Sequence, residues 1–222
     1  MTDEPPVIAI DGPSASGKGT VAERVAAALG FHYLDSGALY RLVALEALAS
    51  GTPLEDGSAL ARLAAGLDVA FAGGRIRLAG MDVTDALREE AVGTAASRVA
   101  AHPPVRQALL ERQRRFCEPP GLVADGRDMG SIVFPQAPLK VFLTAEVGIR
   151  AERRHKQLME KGMYVKMADV VEELRQRDAR DSARPVAPLK HYPDALFLDT
   201  THLTIADAVD RVLGWYRERA PG

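Results

Sequence analysis

Val7-Ile-Ala-Ile-Asp-Gly-Pro-Ser-Ala-Ser-Gly-Lys-Gly-Thr20 decides how the rest of the chain is read. A short apolar run, largely β-branched, ends at Asp11. A Gly-rich loop with a single lysine follows, and Val21, Val25 and Leu29 then recur at every fourth position. The run predicts a buried strand and the recurrence a helix. Glycines let backbone N–H groups turn toward phosphate oxygens, and a helix N-terminus adds partial positive charge. Gly12, Pro13, Ser14, Ala15, Ser16, Gly17, Lys18, Gly19 and Thr20 are therefore candidate contacts for a nucleoside triphosphate. Lys18 brings a full charge, and the Thr20 hydroxyl, just inside the helix, is a candidate direct ligand for Mg²⁺. In the strict Walker A pattern Ser or Thr follows the lysine directly. Here Gly19 intervenes.

The chain has 222 residues, which suits one α/β domain with insertions better than two independent domains. A formal net charge of −2 gives no global basic field, and aromatics at 5% leave few stacking surfaces, so a nucleic-acid-binding module is disfavoured. Any anion must be met by local arginines. Cys117 is the single cysteine, which excludes an intramolecular disulfide and a Cys-rich metal site and suits a reducing cytosol. Asp3 and Glu4 precede an apolar run too short for a secretory signal or a membrane span. The expected compartment is the cytoplasm, with no membrane partner.

Strand-like runs recur at Val7–Ile10, Leu122–Ala124, Leu139–Leu143 and Leu196–Leu198, with a weaker one at His32–Leu34. Helical patterns separate them, which predicts an α/β fold: a central parallel sheet with helices on both faces. A final helix is expected over 204–218, with Thr204 as N-cap and Asp207 at the third helical position. Ala208, Val209, Val212, Leu213 and Tyr216 form its apolar side, with Trp215 finishing the core there. Between 67 and 84 the rhythm changes. Leu67, Val69 and Phe71 alternate with polar or small residues, Gly73-Gly74 mark a turn, and Ile76 and Leu78 alternate on the way back. A β-hairpin on a small insert is expected, with Val83 beginning a third piece. Gly162 and the charged run Arg150–Lys161 mark a second irregular region.

Three constellations carry candidate chemistry. Asp35-Ser36-Gly37 follows the second strand, with Ser36 placed to cap the next helix and Arg41 further along it. Arg41 can reach an anion at the sheet's carboxyl edge or remain solvated. Asp125-Gly126-Arg127-Asp128 follows directly on the strand Leu122-Val123-Ala124, where ligands of open α/β sheets sit. Asp125 is placed to hold Mg²⁺ through water, Arg127 to clamp a phosphate bidentately, and Asp128 to accept from an exocyclic amine. A turn with internal ion pairs is the alternative. Arg177, Asp181 and Arg184 lie at i, i+4 and i+7, with Arg180 close by, either as an exposed ion-pair ladder or as a phosphate-facing cluster. Arg153, Arg154 and Lys156 form either a flap over the triphosphate or a solvated helix face. Spacing assigns no task to Ser97 or Arg106.

Together the segments IDGPSASGKGT, LDSGALYR, AASRVA with PPVRQALLERQR, ADGRDMG and QRDARDSARPVAPL resemble the bacterial cytidylate kinases, over nearly the whole chain. The first is shared with many phosphoryl-transfer enzymes, whereas the combination is highly specific. The resemblance implies a P-loop kinase core over 1–58 and 98–222, a lid at about 150–166, and a nucleoside-monophosphate-binding insert over 59–97 containing the hairpin. It implies ATP with Mg²⁺ as donor and CMP or dCMP as acceptor. Ser97, Arg106 and Asp128 match positions that read cytosine. Arg41, Arg127 and Arg184 match those holding the acceptor phosphate, and Arg177 and Asp181 those near the ribose. Ser36 joins the acceptor set, and Lys18, Arg127, Arg180 and Arg184 the catalytic one. Ser16, Arg98 and a shorter hairpin depart from the family pattern without touching these contacts. Competing expectations are another acceptor, such as UMP, AMP or a small metabolite, and a guanine-nucleotide switch. The switch lacks an Asn-Lys-x-Asp base-reading loop. A monomer is the default expectation.

Overall fold

The computed structural model describes residues 4–72 and 75–219. Two compact units divide the chain: residues 1–34 with 116–222, and residues 35–115.

In the first unit Val7–Asp11 forms β1, whose Ile8 and Ile10 are wholly buried. An apolar run closed on both faces is what the middle of a parallel sheet demands. β1 is followed by α1 (Lys18–Leu29), β2 (His32–Asp35), β6 (Leu122–Gly126), β7 (Leu139–Thr144) and β8 (Leu196–Asp199). The strand order is β2-β6-β1-β7-β8, with β1 parallel to both β6 and β7, and β7 parallel to β8. Val21, Val25 and Ala26 of α1 pack onto Val123, Val141 and Leu143, beside Val212 and Leu213 of α8 (Ile205–Arg219). Burying each valine or leucine of this set contributes ~1.5–3 kcal/mol. α8 starts as its sequence implies: the Asp207 N–H donates to Thr204 Oγ1 (3.2 Å) while Thr204 donates back to the Asp207 carboxylate (2.6 Å). Trp215 packs on the rim of this core.

The run 150–160, expected to be irregular, belongs instead to α6 (Val147–Glu160), and α7 (Met167–Ser182) follows it. Ala151, Leu158, Val170 and Leu174 make a small core between these two helices. Four apolar anchors are few among so many charges, so periodicity is easily missed there. Only the connection around Gly162, with φ +75°, breaks the helical backbone.

The second unit contains α2 (Ser36–Ser50), α3 (Gly57–Gly66), α4 (Glu90–Val99) and α5 (Pro103–Arg114). A small antiparallel sheet joins them in the order β3 (Val69–Ala72), β4 (Arg75–Leu78), β5 (Met81–Asp82). Val69 pairs with Leu78 and Phe71 with Ile76, the register of the expected hairpin. Its turn at Gly73-Gly74 lies outside the described residues. The third piece is Met81–Asp82, just before Val83, and the Thr84 hydroxyl accepts from the Ile76 N–H (2.9 Å). Pro103 opens α5 at the first helical position, where a missing N–H costs nothing.

Candidate active site

The glycine-rich loop is fixed by contacts of its own. A side chain at Gly12 would put its Cβ 1.9 Å from the Leu143 carbonyl oxygen, so only glycine fits where β1 meets β7. Ala15 and Gly17 take positive φ, 58° and 92°, turning successive amides in the manner of an anion-binding nest. Ser16 Oγ donates across the loop to the Pro13 carbonyl (3.0 Å), and Lys18 Nζ leans over the same carbonyl (3.4 Å). Gly17 occupies the N-cap of α1 with no side-chain cap, which leaves the helix terminus to serve an anion.

Arginines hold the loop from outside. Arg150, buried, donates to the Ser14 carbonyl (3.1 Å) and to the Asp178 carboxylate (2.7 Å). Arg153 donates to the Ser16 carbonyl (3.0 Å) and to the Thr200 carbonyl (2.7 Å), and Thr200 Oγ1 donates to the Ser16 carbonyl (3.1 Å). Arg153 is thus not a solvated residue. Lys156 is exposed, 4.0 Å from Glu160. Arg150, Asp178 and Thr200 had no assignment from the sequence. An arginine in a charged run carries no mark of burial, and Thr200 lies after a strand whose end gave no motif.

At the end of β6, Asp125 is buried and accepts from Tyr33 Oη (3.2 Å). A Cβ at Gly19 would stand 3.5 Å from Asp125 Oδ2, so the carboxylate faces the turn between Lys18 and Thr20. The donor set there is all oxygen, hydroxyl plus carboxylate, and suits a hard divalent ion carried in on phosphates. Among the described residues no cluster of three or more His, Cys, Asp or Glu offers a cage of its own.

Arg127 ties this strand end to the loop and to α7. Its Nη2 donates to Ser14 Oγ (2.8 Å), Nη1 to the Gly126 carbonyl (3.1 Å), and Nε to the Asp181 carboxylate (2.8 Å). Asp181 also pairs with Arg184, both of them buried, so the trio on and after α7 is no exposed ladder. Burial is the largest single influence on Arg127 and pushes its pKa down, but the charge and hydrogen bond of Asp181 together with the charges of Asp125 and Asp178 outweigh it, and the value ends above the ordinary one. Burial likewise pushes Asp181 up most strongly, and the charges of Arg127, Arg184 and Arg177 with the Arg127 hydrogen bond together outweigh it, holding its carboxyl below the usual range. Arg177 is half-buried and its charge also reaches Asp181, while Arg180 is half-buried.

Asp11, at the end of β1, accepts from the Met129 N–H (2.8 Å) and the Gly130 N–H (2.9 Å). Burial pushes its carboxyl up to about 6 against these two bonds, with the charge of Asp128 adding to the rise and Arg127 opposing it. A carboxyl raised in the folded state stabilises fully below its unfolded value and loses that contribution as pH rises through about 6. Relative to Asp11→Asn, the wild type should therefore lose on the order of 1–2 kcal/mol between pH 4 and 6.5. Urea unfolding across that range measures it, and parallel stability curves for the two proteins would contradict the raised value.

The second unit carries the other acceptor candidates. Ser36 is buried at the first position of α2 but does not cap it: the Asp35 carboxylate accepts from the Ala38 N–H (3.2 Å) instead. A carboxylate one residue earlier reaches the exposed amide with better geometry than the serine, already inside the helix. Arg41 is half-buried on the same helix. Ser97 is buried on α4, and Arg106 is buried on α5, donating to the Ala100 carbonyl (3.2 Å) with its guanidinium 5.6 Å from the Tyr40 ring centroid. Tyr40, within LDSGALYR, was not singled out. Arg98 turns outward to pair with Glu55.

Residues 8–218 match the family profile described as cytidylate kinase. The chain belongs to the cytidylate kinase family. A protein named cytidylate kinase from Chromobacterium violaceum is 60% identical over 214 residues, covering 96% of each chain. Another of that name, from Burkholderia thailandensis, is 60% identical over 213 residues, covering 96% of this chain and 93% of the relative. The cytidylate kinase family match does not favour a guanine-nucleotide switch. Among solved structures, a gluconokinase from Sinorhizobium meliloti aligns with TM-score 0.51 at 18% identity, covering 98% of this chain and 95% of its own. An uncharacterized protein from Eubacterium ventriosum aligns with TM-score 0.52 at 12% identity, covering 96% and 99%. These two speak to the fold alone, a parallel α/β sheet flanked by helices. No helix among the described residues is long and apolar enough to cross a membrane.

Proposed function

We propose that this chain transfers the γ-phosphoryl group of ATP in line to the 5′-phosphate of CMP or dCMP, giving CDP or dCDP and ADP. The supporting observation is Arg127, whose guanidinium reaches both Ser14 of the phosphate loop and Asp181 of the acceptor set. One cation joined to both sets is what transfer between two polyanions requires. The acceptor phosphate has its second pKa near 6 and is already anionic, so no strong general base is needed. Positioning and charge neutralisation carry the rate.

In this reading Gly12 to Thr20 cradle the donor phosphates, and Lys18 bridges the β- and γ-phosphates. Arg41, Arg127 and Arg184 hold the acceptor phosphate, and Ser36 belongs to the same acceptor set. Ser97, Arg106 and Asp128 read the cytosine, and Arg177 and Asp181 meet the ribose. Arg180 adds positive charge toward the transferred group. Thr20 would bind Mg²⁺ directly and Asp125 through water, the ion neutralising charge on the β- and γ-oxygens. We take residues 59–97 as the acceptor-binding insert and about 150–166 as the lid. Both would close to exclude water that would otherwise hydrolyse ATP. The protein would work in the cytoplasm as a monomer.

An acceptor screen with ATP·Mg²⁺, read as ADP release, tests the proposal. CMP and dCMP are expected to be the best acceptors, ahead of UMP and AMP. Asp128→Ala should reduce the CMP-over-UMP preference at least tenfold, because a buried acceptor for the cytosine amine is lost. A wild type that prefers another acceptor overturns the function, and an unchanged ratio in the variant overturns the role of Asp128.

A further inference from the structure

The Gly126-Arg127-Asp128 loop is not left to its own conformation. On one side Gly12 N–H donates to the Gly126 carbonyl (3.3 Å), joining it to the first residue of the phosphate loop. On the other, residues Met129–Val133 form a single π-helical turn, in which the Asp128 carbonyl accepts from the Ile132 (2.9 Å) and Val133 (3.2 Å) N–H groups. Wide turns of this kind are rare and are frequent at functional sites. The start of that turn exposes two adjacent N–H groups, those of Met129 and Gly130, directly after Asp128. Each oxygen of Asp11 takes one of them, at 2.8 and 2.9 Å.

A carboxylate that accepts two successive amides fixes the peptide plane between them and limits rotation of the plane before. That preceding plane links Asp128 to Met129, so it sets the direction in which the Asp128 side chain leaves the backbone. Arg127, one residue earlier, lies between this pinned segment and the Gly12 bond to the Gly126 carbonyl. Both oxygens of Asp11 are spent on backbone amides, and Asp11 itself is continuous with the phosphate loop at Gly12. An aliphatic or amide side chain would fill the space but could not accept from both amides.

We infer that Asp11 is a positioning residue for the acceptor nucleotide, holding the backbone after Asp128 so that Asp128 and Arg127 face the base and phosphate of CMP. The inference rests on the assignment of those two residues to the acceptor. Asp11 is not a catalytic residue in this account, since it touches neither substrate. Its influence should therefore fall on acceptor affinity and base choice, with donor affinity spared.

Asp11→Asn keeps the size of the side chain and one acceptor oxygen but turns an NH₂ group toward the second amide. It is expected to raise KM for CMP about tenfold and to lower the CMP-over-UMP preference, with KM for ATP within twofold of wild type. Should the asparagine variant be isolated unfolded, Asp11→Ser, with a single small acceptor, is assayed with the same readouts. Equal rises in both KM values, or an unchanged KM for CMP in a folded variant, overturns the positioning role. The wild type run beside them separates the two ideas: no turnover of CMP by the wild type sinks the function, whereas normal wild-type turnover with an unaffected variant sinks only the role of Asp11.

Discussion

Lys18→Ala is expected to lower kcat by about 10³-fold while leaving the folded structure in place. The rate loss follows from removing the one full positive charge within residues 12–20, which the proposed mechanism places on the β- and γ-phosphates. The fold should survive because the loop has other supports. Ser16 Oγ still bonds to the Pro13 carbonyl, Gly12 still packs on the Leu143 backbone, and Arg150 and Arg153 still hold the Ser14 and Ser16 carbonyls. The contact of Lys18 Nζ with the Pro13 carbonyl in that scaffold is long, 3.4 Å. Steady-state kinetics with saturating CMP, together with a thermal melt, checks the expectation. A kcat within tenfold of wild type would refute the assigned role.

Asp181→Ala should produce the largest loss of stability. Its carboxylate, almost wholly buried, stands between Arg127 and Arg184, and the latter is itself buried. Deleting it leaves two guanidinium groups deprived of their shared counter-ion, which costs about 3–5 kcal/mol. For a chain of this size that corresponds to a fall in Tm of roughly 6–20 °C. CMP should restore part of the loss, because in the proposed mechanism its phosphate supplies a replacement anion to the same arginines. Acid dependence follows from the sign of the shift. Asp181 is held below its ordinary value, so its contribution is present above the normal carboxylate range and is lost as pH falls through the folded value. The variant should accordingly lose less stability on acidification than the wild type. A melting temperature within 2 °C of wild type, or no response to CMP, counts against this account.

The sheet and its helices were legible because their signals are local. Val7–Ile10 and Leu139–Leu143 are apolar runs with nowhere to go but a sheet interior, and Thr204 with Asp207 announces α8 in the residues themselves. The glycine-rich loop between β1 and α1 was equally plain, since its glycines and the helical pattern after them are adjacent in sequence. What stayed hidden depends on partners distant in sequence. Arg150 reads as one more charge on a solvated run, yet Asp178 and the Ser14 carbonyl make its burial tolerable. Asp11 reads as the polar end of a strand, and only the fold reveals two amides waiting for it from 118 and 119 residues away. The Ser36 cap was misread by a single position, because Asp35 and Ser36 are both good caps and only backbone geometry chooses between them.

The two outermost strands of the five-stranded sheet are only four residues each, His32–Asp35 and Leu196–Asp199, and each ends in an aspartate. Rows of unpaired amides on a sheet border invite stacking by a second chain, and brevity with charge is a common protection. Asp199 folds its carboxylate into a turn with Thr201, and Asp35 spends its own on the start of α2. Neither border presents a ladder long enough for a neighbour to extend, which favours dispersed molecules over aggregates at high concentration.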